Sequence, residues 1–195
     1  MRATRWAGLL ALLLMSAQAG ADTVLRYAID PARTVINFTW HYLGRESPKA
    51  SFSDPSGAIY LNTDDPLRSG TEVSIPVRTL STFMRVIDRE LLQSGDFFLP
   101  GKYPAITFRS TGITPPADGD TAYRVAGTLT ANGISQPVVL LARPVGLQPG
   151  QLPGAEVMIE ASTRFRRSQF GMTRMLGVVG DDMSISLSVV AVRRD

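Results

Sequence analysis

Short runs in which apolar and polar residues alternate recur along most of this chain, separated by Gly, Pro, Asn and Asp. That rhythm is the signature of many antiparallel strands, each with one buried face. In Ile36-Asn37-Phe38-Thr39-Trp40-His41-Tyr42 the large apolar groups fall on every second residue. Val73, Ile75 and Val77 repeat the pattern, with Pro76 suited to an edge or a bulge. Ile106 and Phe108 continue it, and Met183 to Val189 sets four apolar groups against serines. Asn132-Gly133, between runs 123–131 and 134–145, tolerates the positive φ of a tight turn and predicts a hairpin. Runs near 24–28, 34–43, 56–62, 71–80, 104–113, 121–131, 135–145, 155–165 and 182–193 make eight or nine strands, enough for a barrel or a sandwich. From Ser81 to Ser94 the period changes: Phe83, Val86, Ile87 and Leu91 recur at helical spacing, and Ser81 or Thr82 is placed to cap a short helix.

Residues 1–21 stand apart from this rhythm. Arg2 and Arg5 precede an apolar stretch, Ala7 to Met15, and Ala19-Gly20-Ala21 closes it with small residues. The layout predicts a cleaved secretory signal peptide and a soluble exported product beginning at Asp22, with one domain over 22–195. Without Arg2 and Arg5 the charge balance falls to 18 basic against 17 acidic residues, which gives no case for nucleic acid. The chain has no cysteine, so its stability away from the cytoplasm depends on the core alone.

The composition also narrows the chemistry. His41 is the only histidine, which excludes a metal site with several imidazole ligands, and thiol catalysis is absent. By alternation His41 points away from the aromatic face of its run. The pairs Asp64-Asp65 and Asp181-Asp182 sit beside turn signals and read as solvated loop acids, so no catalytic set is expected. In Arg164-Phe165-Arg166-Arg167 two readings stand: a charged loop, or a grip on an anionic head group at a barrel mouth. Phe38, Trp40, Phe108, Tyr123, Ile185 and Leu187 must face an interior, but periodicity alone does not separate a filled core from a pocket lining.

Longer motifs carry a family resemblance. Tyr27-Ala28-Ile29-Asp30-Pro31 and the stretch from Phe38 through His41-Tyr42-Leu43-Gly44 resemble the opening and first strand of the YceI-like family. The block Asp88-Arg89-Glu90-Leu91-Leu92-Gln93-Ser94-Gly95-Asp96-Phe97-Phe98, followed by Lys102-Tyr103-Pro104-Ala105-Ile106-Thr107-Phe108-Arg109-Ser110, is its most specific match. Gly127-Thr128-Leu129-Thr130 with Gly133 and Pro137-Val138 resembles the family hairpin, and Arg167-Ser168-Gln169-Phe170-Gly171-Met172 its late motif. The resemblance covers about residues 24–193. Ala50 where glycine is usual, Ser47-Pro48-Lys49 before Phe52, and Asn132 in place of a basic residue depart from it and bear on loop geometry and ligand length.

The resemblance implies an all-β fold, an extended eight-stranded antiparallel lipocalin-like β-barrel with the helical insertion near 81–94 packed at one end. It further implies a tunnel for a long isoprenoid chain in a non-enzymatic periplasmic protein that binds, stores or transports an isoprenoid quinone, a polyprenyl phosphate or another long-chain amphiphile. The expected lining is Phe38, Trp40, Phe83, Phe97, Phe98, Phe108, Tyr123, Phe170, Met172, Ile185 and Leu187, and the head-group candidates are His41, Arg166 and Arg167. No metal and no cofactor beyond the bound lipid is expected. Two rivals remain: a filled barrel that serves a membrane partner such as a cytochrome, and an enzyme acting on lipids.

Overall fold

A computed structural model describes residues 23–46, 50–147 and 151–194; the expected signal peptide, Asp22 and Ser47-Pro48-Lys49 lie outside them. The alternating runs become antiparallel strands, numbered here in chain order. They are β1 (Val24–Ile29), β2 (Val35–Tyr42), β3 (Arg45–Glu46), β4 (Ala50–Phe52), β5 (Ser56–Asn62) and β6 (Gly70–Pro76). After α1 (Arg85–Gln93), the one α-helix among the described residues, come β7 (Ala105–Thr114), β8 (Tyr123–Ala131), β9 (Ile134–Val145), β10 (Glu156–Arg166) and β11 (Val179–Arg193).

Strands β1, β5, β6, β7, β8, β9, β10 and β11 pair in that order, and β1 pairs back onto β11 to close a ring of eight. Closure removes the sheet edges that an open sheet of this size would leave. Two staves of the barrel are broken. Along β11, Ala191 to Arg193 pair with β1, whereas Val179 to Ser188 pair with β2. Strand β4 then lies beside β2 as β5 lies beside β1, with Ala50 opposite Phe38. The breaks fall at Pro31 and at Asp54-Pro55, where a proline has no N–H for the ladder and Asp54 has φ 55°. A pair of backbone hydrogen bonds between Ser51 and Ser81 (2.8 and 2.9 Å) ties β4 to the segment after β6. β3 and β4 were not expected from the sequence, because runs of two and three residues are too short to show alternation.

The hairpin forms as expected: Asn132 and Gly133 have φ 51° and 73°, and β8 and β9 pair from Ala131–Ile134 to Tyr123–Ala142. The helix begins later than its period predicted. Asp88 Oδ1 accepts hydrogen bonds from the backbone N and Oγ of Thr82 (both 2.6 Å), and Phe83 has φ 63°, so 82–84 form an irregular approach. Met84 occupies the N-cap position without a side-chain cap, in place of Ser81 or Thr82. Asp64 and Asp65 are turn acids as read, accepting from Thr23 N and Leu67 N. Asp181 and Asp182 are not in a loop: they lie in β11, and Asp181 accepts from Ser168 N (2.9 Å) and Oγ (2.7 Å).

The interior has two parts. A small cluster of Tyr27, Ile59, Val157 and Ala191 closes one end, where the Tyr27 hydroxyl donates to the carbonyls of Pro153 and Gly154. A larger, aromatic cluster occupies the other part. Gly127 makes room there: a Cβ at that position would lie 2.4 Å from Phe108 Cζ and 2.6 Å from the Arg109 carbonyl oxygen. Gly127→Ala is therefore expected to push the Phe108 ring inward and to lower stability by about 1–3 kcal/mol, read by chemical denaturation.

Candidate functional site

The larger cluster does not fill its end of the barrel. Its side chains surround a cavity of about 730 Å³, within the range of small-molecule sites. Strand alternation builds the walls. Ile36, Phe38, Trp40 and Tyr42 come from β2, Val73 and Ile75 from β6, Ile106 and Phe108 from β7, and Leu129 and Ala131 from β8. Val138 and Leu140 of β9, Thr163 and Phe165 of β10, and Met183, Ile185 and Leu187 of β11 complete them. From Tyr42 to Ile36 the wall runs six residues along one strand, or about 20 Å. Phe38 stacks on Trp40 (centroids 5.5 Å) and on Phe52 (5.3 Å), so the wall is a preformed aromatic face.

The helix and the segment after β10 cover one end. Met84, Val86, Ile87, Glu90 and Leu91 of the helical region reach the cavity, as do Phe97, Phe98, Met172 and Met175. Asn132 Nδ2 holds the carbonyl of Phe97 and contacts that of Phe170 at 3.4 Å, which gives the departure at this position a structural use. Arg174 joins the two covering pieces, pairing with Glu90 (3.2 Å) on α1 and with Asp96.

Arg167 is the buried centre of this cover, only 3% exposed. Its Nε donates to Gly180 O (3.0 Å), Nη1 to Met172 O (2.6 Å), and Nη2 to Arg174 O and Val179 O (both 2.8 Å). The guanidinium also lies 5.7 Å from the Phe97 ring centroid. Burial pushes its pKa down from the ordinary value and the Asp181 carboxylate opposes that shift. Four of its five N–H groups are thus spent on backbone carbonyls, which makes it a brace that touches the cavity.

Of the expected lining, Phe38, Trp40, Phe97, Phe98, Phe108, Met172, Ile185 and Leu187 are on the cavity wall. Three are elsewhere. Phe83 is 81% exposed because its positive φ turns it out of the helical stripe. Tyr123 sits six residues along β8 from Leu129, about 20 Å toward the closed end. Phe170 is fully buried behind the wall, edge-on to Phe165 at 5.2 Å between centroids, and Gly171 after it takes φ 77°.

Two of the head-group candidates also lie away from the cavity. His41 is exposed on the outer side of β2, against Gly180. Arg166 is exposed and stands 4.0 Å from Asp182. Sequence reasoning missed Phe52, Ile75, Leu129, Leu140, Phe165 and Met175, among others. All but Phe52 and Met175 carry the alternation signal of the positions chosen; Met175-Leu176, apolar residues in a turn-like stretch before Gly177, were a second available sign.

A model of the YceI-like domain matches residues 27–191. A UPF0312 protein of Pseudomonas paraeruginosa is 31% identical over 190 residues, covering 95% of this chain and 97% of that protein. Among solved structures, Burkholderia cenocepacia BcnA superimposes with a TM-score of 0.72 at 20% identity, over 84% of this chain and 99% of its own. A polyisoprenoid-binding domain from Saccharophagus degradans matches with a TM-score of 0.63 at 14% identity, over 87% and 99%.

Proposed function

Since the chain belongs to the YceI-like family, we propose that its barrel carries or stores a long isoprenoid chain outside the cytoplasm, reached through the signal peptide expected at residues 1–21. The observation that carries this reading is the deep aromatic and aliphatic cavity, about 730 Å³, left open inside a closed barrel. The structural neighbour described as polyisoprenoid-binding supports it. Burial of hydrocarbon at about 25 cal/mol per Å² is sufficient for micromolar binding with no catalytic group or cofactor. An open cavity argues against the filled-barrel rival, and a wall without a nucleophile and base in contact argues against a lipid-modifying enzyme.

The head group that suits this cavity is uncharged. Arg167, the cation on the wall, already serves four carbonyls, and Glu90 at the cover is paired with Arg174. A diphosphate drawn inside the cavity would lose water without gaining free donors, since Arg45, Arg85 and Arg89 lie outside its wall. An isoprenoid quinone is therefore expected to bind at least about tenfold more tightly than a polyprenyl diphosphate of equal tail length, as read by titration of tryptophan fluorescence. Equal or tighter binding of the diphosphate would reject the uncharged head group, and failure of both would reject the carrier reading.

A further inference from the structure

The lip of the cavity is apolar on its outside as well as its inside. Tyr42, Met84, Val86 and Met175 line the cavity and are also exposed, so they mark where it opens. Three exposed apolar neighbours widen that lip: Leu43 (67% exposed), Phe83 (81%) and Leu176. Val86 itself is 82% exposed. Side chains of this size grouped at one opening form the kind of patch that soluble proteins keep for contact with something apolar.

The backbone at the lip is held in a conformation that bulky residues avoid. Five described residues other than glycine have positive φ. Asp54 and Asn132 are of the polar types that tolerate this region, but Leu43 (50°), Phe83 (63°) and Met175 (55°) are not, and all three are at the lip. Local bonds fix each one. Leu43 N donates to Val178 O (2.9 Å), Phe83 N to Ser81 Oγ (3.2 Å), and Val178 N and Val179 N to Met175 O (2.9 and 2.7 Å). Glycine at these positions would relieve the strain. The chain instead places large hydrocarbon groups on three tight turns around one opening, where neither core packing nor turn chemistry calls for them.

We propose that this lip inserts shallowly into a lipid bilayer, so that the cavity opens directly onto the membrane hydrocarbon. Charge complementarity with a lipid surface favours that occupant. Arg45, Arg85 and Arg89 are exposed among the lip residues. The acidic groups beside them are engaged, Asp88 by Thr82 and Glu90 and Asp96 by Arg174. Thr82 leaves Asp88 charged and Arg174 offsets one of its two carboxylates, so the three exposed guanidiniums exceed the acidic charge left among these described residues by one, and their place around an apolar centre suits anionic phospholipid head groups. The proposal builds on the carrier reading, because direct contact spares a water-insoluble chain from crossing water.

The test is flotation of the full mature protein with vesicles of phosphatidylethanolamine and phosphatidylglycerol, compared with vesicles of phosphatidylcholine. The unmodified protein is expected to float with the anionic vesicles, and less with phosphatidylcholine. Leu43→Ser with Phe83→Ser, both exposed and neither on the cavity wall, is expected to reduce vesicle binding about tenfold or more while leaving cavity binding of the quinone unchanged. Leu152→Ser, 60% exposed near the closed end, is the control and is expected to bind as the unmodified protein does. The proposal is overturned if the double variant floats undiminished, if Leu152→Ser weakens binding equally, or if the unmodified protein ignores vesicles and forms dimers that depend on Phe83. Intact flotation with no quinone binding would instead defeat the carrier reading and leave the membrane contact standing.

Discussion

Arg167→Ala is expected to lower the free energy of unfolding by about 3–5 kcal/mol, a large share of the roughly 5–15 kcal/mol that holds a typical domain together. The reason is the number of partners left behind. Removing the guanidinium strips the carbonyls of Met172, Arg174, Val179 and Gly180 of a shared donor, in a place where the side chain is 3% exposed. Each buried acceptor left without a partner costs on the order of 1–3 kcal/mol, and water admitted to the gap recovers part of that. The loss is local as well as global: those carbonyls define the segment that covers the cavity, so amide exchange in 172–180 should rise before the rest of the barrel. Arg167→Lys should recover only a fraction, because an ammonium lacks the planar fork that reaches several carbonyls at once. Urea denaturation of the three proteins checks this, and a change below about 1 kcal/mol for the alanine variant would contradict the brace.

Leu140→Trp is expected to weaken isoprenoid binding by about a hundredfold while changing stability by no more than about 2 kcal/mol. Leu140 lines the cavity from β9, and the enlarged side chain has open volume to enter. The two effects separate because the larger side chain enters the cavity that the ligand would occupy and not the packed wall. A hundredfold loss with an unchanged circular dichroism spectrum identifies the cavity as the site. Undiminished binding would move the ligand elsewhere.

Much of the fold was legible because strand alternation is a local signal. The run Ser56–Asn62 is bounded as the sequence indicated, and the Asn132-Gly133 hairpin was readable from two residues. The broken staves were not, since β4 depends on pairing Ala50 with Phe38 and Ser51 with a bridge to Ser81, contacts between distant parts of the chain. The site divided in the same way. Phe38, Phe108, Ile185 and Leu187 follow from inward-facing positions, whereas Phe83 obeys the helical period and is turned out by one dihedral angle. Arg167 misled for a different reason: a cation beside Arg166 suggests an exposed anion grip, and only the folded chain reveals that four carbonyls already occupy it. The difference between a core and a cavity was beyond the sequence, because both are lined by the same alternation.

The most direct measurement is native mass spectrometry of the protein exported from a Gram-negative host and purified without detergent, alongside its Leu140→Trp variant. The account predicts an adduct on the unmodified protein whose extracted mass resolves into isoprene units with an uncharged head group, and its loss from the variant. Purified protein that carries no lipid and takes up neither quinone nor polyprenyl lipid when offered them would contradict it.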